Sequence, residues 1–411
     1  MSVEVFVARQ PIFDCHTRVY AYEVLYRSTI RNVSDFSDGD QATRSVIANV
    51  FLHIGLQRIT GGKKAFINFT QNLLLEEIPF KLPKDLAVIE ILEDVLPEEE
   101  LILACRKFHD AGYILALDDY LASSEHLSPL VEVADILKVD FRKNDDEEKR
   151  SIAERVRTSA IRARLLAEKI ETQEEFRLAR EYGYEYFQGF FFSKPEIVPG
   201  RDMPGYKLSY LKMLQELLRQ DLQYGALEET IKRDLSLSYK LLNYINSAYF
   251  GVRQQVTSVR HAIMLLGEEE VRRWGALVVL SGLGKDKPQE LLVTALVRAN
   301  FCEALAQTMG WESKQSTLYL IGLFSLLDVF VGRPLAEILA EMPLSQEIKA
   351  ALTADKNIFR ELLDLVVIYE QAEFTRVQET LERLNLKPEP VAELYLDSVA
   401  HAERVLGVRS A

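Results

Sequence analysis

Through the first half of the chain, short apolar runs alternate with longer amphipathic stretches. The runs are KAFINFT (64–70), LAVIEILE (86–93), YILALDDY (113–120), DILKVDF (135–141), RLLAEKIE (164–171) and YEYFQGFFF (184–192). Their length and their β-branched and aromatic content predict buried strands. Between them lie helical patterns such as PEEELILACRKFHDAG, with Pro97 suited to a helix start, acids in the first turn and Gly112 at the stop. Repeated strand–helix alternation predicts parallel β/α units. The opening VFVARQPIFD and VYAYEVLYR, split by a short polar turn, read instead as a hairpin. A (β/α) barrel with an irregular start accommodates both over residues 1–197.

The pattern changes across a linker rich in proline and glycine, placed at 198–207. From 208 to 411 nearly everything has helical spacing, as in LSYLKMLQELLRQ, LSLSYKLLNYINSAYFG and EEEVRRWGALVVLSGLG. Gly251, Gly267, Gly284 and Gly310 stand where helices should stop. The fold class is therefore α/β followed by an all-α bundle. The charged RKNDDEEKRS (142–151) reads as a solvated loop or helix start.

A chain of 411 residues with 48% hydrophobic and 27% charged content predicts two soluble domains. No apolar stretch is long enough to span a bilayer, and the start lacks the features of a secretory signal. Cys15, Cys105 and Cys302 are far apart and in no C-x-x-C spacing, which suits reduced, buried thiols in a cytoplasm. The net charge of −13 argues against binding a nucleic-acid polymer through its phosphates.

Each predicted strand ends in a polar residue: Glu23, Asn68, Glu90 and Glu93, Asp118 and Asp119, Lys138 and Asp140, Glu168 and Glu171, then Gln188. In a β/α barrel these ends converge on one mouth. A single acid at a strand end commonly caps a helix; a polar terminus on nearly every strand points to one convergent site. Hard oxygen ligands without His or Cys suit Mg²⁺ or Mn²⁺. Adjacent aspartates at a strand end can serve two ions, one carboxylate bridging, as in two-metal phosphodiester hydrolysis.

The motifs ARQPIFD…YAYEVLYR, FINFT, IEILE, LALDDY, LKVD, LAEKIET and YFQGFFFSKP, in this order, resemble the EAL domain family of cyclic di-GMP phosphodiesterases. The resemblance implies a modified TIM (β/α)8 barrel with an antiparallel first strand, two Mg²⁺ or Mn²⁺ ions and hydrolysis of cyclic di-GMP to linear pGpG. It implies Glu23, Asn68, Glu90 and Asp118 as ligands of one metal. Asp118 bridges to the second, with Asp119 and Glu168 nearby. Lys138 holds and activates the attacking water, Gln188 supports the water network, Arg27 contacts a phosphate and Gln10 lies near the ligand. Glu93 steadies the loop after the aspartates, and the barrel is expected to form a homodimer. Three departures stand out: EVL in place of EAL, Lys169 where the family usually has glycine, and DDYLASSEHL where active members usually read DDFGTGYSSL. Leu121, Ala122 and Ser123 withhold the backbone freedom that glycines give such a loop. A cyclic di-GMP receptor or scaffold without turnover is the alternative reading.

The second half resembles the HDOD domain, a relative of metal-dependent HD phosphohydrolases, through NSAYFG and AIMLLG. Its YLIGLFSLLDVFVG lacks the His-Asp pair of catalytic relatives, leaving Asp328 alone, and His261 and His401 have no acid partner for a metal. Asn246 and Ser247 read as a helix-terminal pair; Tyr244, Tyr249, Phe250, Trp274 and Trp311 read as core or half-buried fillers. The expectation is a non-catalytic module for an unidentified protein partner.

Overall fold

The computed structural model describes residues 5–28, 55–121, 127–159, 161–194, 204–219, 224–233, 235–246, 252, 254–353 and 357–407. Eight strands close into a barrel in chain order: β1 (Val5–Asp14), β2 (Val19–Ser28), β3 (Lys64–Phe69), β4 (Ala87–Ile91), β5 (Ile114–Leu117), β6 (Ile136–Asp140), β7 (Arg164–Glu168) and β8 (Tyr186–Gln188). β1 is antiparallel to both neighbours, β2 and β8, and the other pairings are parallel. The hairpin and β/α readings are both realised in one sheet. Helices α1 (Leu56–Thr60), α2 (Gln71–Leu75), α3 (Glu99–Asp110), α4 (Ser128–Val131), α5 (Asp146–Thr158) and α6 (Gln173–Tyr182) lie between strands. α5 and α6 open on capping boxes, Asp145 with Glu148 and Thr172 with Glu175, which satisfy otherwise unpaired backbone N–H groups.

Inside the barrel, one apolar layer takes one residue from every strand: Ile12, Ala21, Phe66, Val88, Ala116, Ile136, Leu166 and Tyr186. Side chains two positions apart on a strand share a face. The next inward position toward the mouth is therefore fixed on each strand by this layer. The barrel closes on itself just past β8, where Gly189 has φ of 143° and an added Cβ would meet the Ile170 carbonyl oxygen at 2.0 Å. Only glycine fits there. Cys15 lies in the β1–β2 turn and is exposed, which corrects the expectation of a buried thiol; Cys105 and Cys302 are buried.

The second compact unit, Pro195–Val366, is built from helices among its described residues. They are α7 (Gly205–Leu217), α8 (Tyr224–Arg233), α9 (Leu235–Ile245), α10 (Val259–Leu283), α11 (Gln289–Thr308), α12 (Gln315–Phe324), α13 (Leu327–Val331), α14 (Leu335–Ala340) and α15 (Gln346–Leu352), with the first part of α16 (Ile358–Glu370). α7 starts inside the stretch assigned to the linker. Gly267 breaks the helical path of α10 with φ of 74° and ψ of 173°, at the position where the pattern predicts a stop. Tyr244 is half-buried and donates to Glu270 at 2.6 Å, and Asn246 brackets Val256 through its backbone N and O. Ser247, Tyr249 and Phe250 lie outside the described residues. Trp274 is buried and Trp311 half-buried.

The division at the C-terminus differs from the expected one. Val367–Ala411, with the end of α16, α17 (Phe374–Arg383) and α18 (Val391–Leu406), belongs to the barrel's unit rather than to the helical one. Phe374 stacks on Phe6 with centroids 5.7 Å apart, and the Tyr369 hydroxyl accepts from the Val7 amide at 3.3 Å. Arg58 pairs with Glu393 at 2.8 Å and Asp397 at 2.7 Å. Helical spacing shows that these segments bury one face but not which core receives it.

Candidate active site at the barrel mouth

Moving two residues toward the mouth from the apolar layer gives Glu23 on β2, Asn68 on β3, Glu90 on β4, Lys138 on β6, Glu168 on β7 and Gln188 on β8. Asp118 follows β5 at the same offset. On β1, which runs the other way, the equivalent residue is Gln10, paired in register with Glu23. Every strand thus contributes one polar side chain to one layer, and all of these residues were singled out from the sequence.

Lys138, 1% exposed, sits among the acids. Its Nζ is 2.7 Å from Glu168 Oε1, 3.0 Å from Asp118 Oδ1 and 3.9 Å from Glu23 Oε1, and it donates to Glu90. Burial works against its charge, but the attraction of Glu168, Glu23, Glu90 and Asp118 prevails and holds it well above the usual lysine range. In this arrangement it is a donor and a fixed positive charge. One ammonium cannot neutralise four carboxylates. Burial, together with Asp118 and Glu23, lifts Glu168 to about 8 against the opposing pull of Lys138, and Glu90 is likewise raised, chiefly by burial. Gln188 donates to Glu23 at 2.5 Å and to Gln10 at 3.3 Å.

Asn68 Oδ1, Glu90 Oε2, Asp119 Oδ1 and Gln188 Oε1 are buried acceptors without a hydrogen-bond partner. Such atoms are costly unless something positive satisfies them. Carboxylate oxygens of Glu90, Asp118 and Glu168 lie within 4.8 Å of one another, and so do those of Glu93, Asp118 and Asp119. The two groups share Asp118. An oxygen-only donor set with unsatisfied acceptors fits hard divalent cations. A cavity of about 490 Å³ opens over this layer, with Arg142, Lys169 and Glu171 on its wall.

Asp119 stands just beyond β5 with φ of 45°, and its Oδ2 accepts from Lys143 at 2.5 Å. Lys169 has φ of 56°, the left-handed region that glycine enters most easily, and its Nζ reaches the buried Asp140 at 2.5 Å. Glu93 is exposed beside the second carboxylate group. The loop it is expected to steady, 122–126, lies outside the described residues. Arg27 is exposed and donates to Thr375 at 2.6 Å, while Gln10 donates to the Gln371 carbonyl at 3.4 Å. Sequence reasoning missed Lys143, which the charged run hid, and the turn at 371–375, which no local pattern connects to the mouth.

The EAL domain model matches residues 3–195 and the HDOD domain model residues 203–361. The barrel with this polar layer is thus an EAL domain. The chain is 37% identical to the uncharacterized protein YuxH of Bacillus subtilis, covering 99% of this chain and 100% of that protein. It is 31% identical to the cyclic di-GMP phosphodiesterase CdgJ of Vibrio cholerae, covering 96% and 91%. The chain belongs to the EAL–HDOD family of signalling proteins. Among solved structures, YkuI of Bacillus subtilis, an EAL-domain protein in complex with cyclic di-GMP and calcium, is 22% identical with a TM-score of 0.39, covering 64% of this chain and 73% of that one.

Proposed function

We propose that the barrel binds cyclic di-GMP and hydrolyses one of its phosphodiesters to give linear pGpG. The observation that carries this reading is the polar layer itself: one side chain per strand, acidic in the centre, around a shared Asp118. Glu23, Asn68, Glu90 and Asp118 would hold one Mg²⁺ or Mn²⁺, and Asp118 would bridge to a second, with Asp119 and Glu168 nearby. Such ions would supply Lewis acidity and a water acidic enough to attack at neutral pH. Lys138 would hold and activate that water, Gln188 donates to both Glu23 and Gln10, and Arg27 would offer a planar fork to a phosphate.

The receptor reading has one observation of its own: Lys143 occupies an oxygen of Asp119, the residue after which the sequence departs from that of active members. The two readings part in one assay. Full-length protein with cyclic di-GMP and Mn²⁺ should yield pGpG, and Glu23→Ala should abolish it. Micromolar-range binding by the intact chain without product would select the receptor.

In the helical unit, Met264 and Leu265 on α10 are 71% and 53% exposed, and Tyr239 on α9 is 66% exposed. Exposed apolar residues of this size suit a protein-binding role. A homodimer through the barrel and a cytoplasmic setting complete the proposal. No described helix is long and apolar enough to cross a membrane.

A further inference from the structure

A second cavity, of about 420 Å³, opens at the mouth beside the first. The barrel supplies Tyr26, Arg27, Asn68 and Thr70 to its wall, and the C-terminal segment supplies Ala372 and Phe374. Leu25 borders both cavities. The turn between α16 and α17 touches the two mouth residues that carry polar groups toward a ligand: Thr375 accepts from Arg27 at 2.6 Å, and the Gln371 carbonyl accepts from Gln10 at 3.4 Å. The turn is anchored by Phe374 on Phe6 and by the Tyr369 hydroxyl at Val7. It is therefore a fixed wall and not a loose tail.

We infer that Gln371–Thr375 completes the ligand site of the barrel: the wall at Ala372 receives one purine base, and Thr375 positions the Arg27 guanidinium for a phosphate. This rests on the cyclic di-GMP reading above. The first cavity holds most of the residues assigned to the metals and the phosphodiester, and the second adjoins it across Leu25, on the side where a base of the same cyclic dinucleotide is placed. A cavity of this size, with apolar walls and a few placed polar groups, is typical of a small-ligand site. The Arg27 fork supplies hydrogen-bonding groups for a phosphate oxygen. Thr375 is a positioning residue, since it acts through Arg27.

The test uses the full chain, with cyclic di-GMP affinity and Mn²⁺ affinity measured by calorimetry and folding checked by thermal denaturation. Ala372 carries a Cβ at φ of 57°, and Ala372→Trp adds bulk to the cavity from that position, with the melting midpoint reporting any backbone strain it brings. It should weaken cyclic di-GMP binding roughly tenfold to a hundredfold while Mn²⁺ affinity and the melting midpoint hold. Thr375→Val should raise KM several-fold more than it lowers kcat, and Thr375→Ser should restore it. Unchanged dinucleotide affinity in Ala372→Trp overturns the inference and leaves the phosphodiesterase reading standing. Parallel loss of Mn²⁺ binding or folding would assign the turn a structural role only, which also overturns it. Failure of the unsubstituted protein to bind cyclic di-GMP removes both readings.

Discussion

Arg9 on β1 and Glu403 on α18 form an ion pair of 2.5 Å between side chains 4% and 3% exposed, 394 positions apart in the chain. Arg9 also donates to the Ile59 carbonyl at 2.6 Å and lies 4.0 Å from the centroid of the Tyr22 ring. The pair fastens the C-terminal segment to the strand that carries Gln10. Removing one partner of a buried pair leaves the other charge desolvated and alone. Glu403→Ala should therefore cost about 3–5 kcal/mol in denaturant unfolding. A double replacement of Arg9 and Glu403 by leucine should cost far less. A loss below about 1 kcal/mol in the single variant would contradict the role given to this pair.

The metal-free site has a definite pH signature. Glu168 is raised from 4.5 to about 8, so the folded protein keeps a proton that the unfolded chain has already released. Its contribution to stability is fully present below pH 4.5 and is lost as pH rises through about 8. Cation binding must expel the same proton. Mn²⁺ affinity should climb by up to about tenfold per pH unit between 6 and 8 and then level off. A flat profile in calorimetric titrations would contradict this account of Glu168.

Lys143 holds Asp119 through a contact in which the lysine is about half exposed. Lys143→Ala frees that carboxylate for a cation. Mn²⁺ binding should tighten several-fold, read by calorimetry at constant pH; weaker binding would mean that the lysine helps to assemble the site.

Lys169 combines a left-handed backbone with a partly exposed ion pair to Asp140. Lys169→Gly relieves the first, worth about 1 kcal/mol, and removes the second, a hydrogen bond to a buried carboxylate worth about 1.5–3 kcal/mol before the exposure of the lysine discounts it. Asp140 keeps its hydrogen bonds from the Arg142 and Lys143 amides. Unfolding free energy should stay within about 1 kcal/mol of the parent, and a loss of several times that would show the ion pair to be a structural pillar.

The barrel and its polar layer were legible because the strand period is two. At each strand end a polar residue follows an apolar one by two positions, and that spacing survives in the sequence as Phe66–Asn68, Val88–Glu90, Ile136–Lys138 and Leu166–Glu168. Gly267 was legible as a break because glycine marks positive φ. Asp119 and Lys169 also have positive φ, but without the residue that announces it, so the sequence presents Lys169 as bulk rather than as a strained turn. The C-terminal helices were assigned to the wrong core because amphipathic spacing carries no address. Arg9–Glu403 and Arg27–Thr375 join distant parts of the chain, and nothing local to either residue foretells its partner.

The central proposal is hydrolysis by this layer despite the altered sequence after Asp119. Asp118 is the residue shared by both carboxylate groups. The decisive measurement is single-turnover formation of pGpG from cyclic di-GMP by the full-length protein at saturating Mn²⁺, beside Asp118→Asn. The account predicts conversion by the parent and none by the variant. Tight dinucleotide binding with no product from the parent, or equal conversion by both proteins, would contradict it.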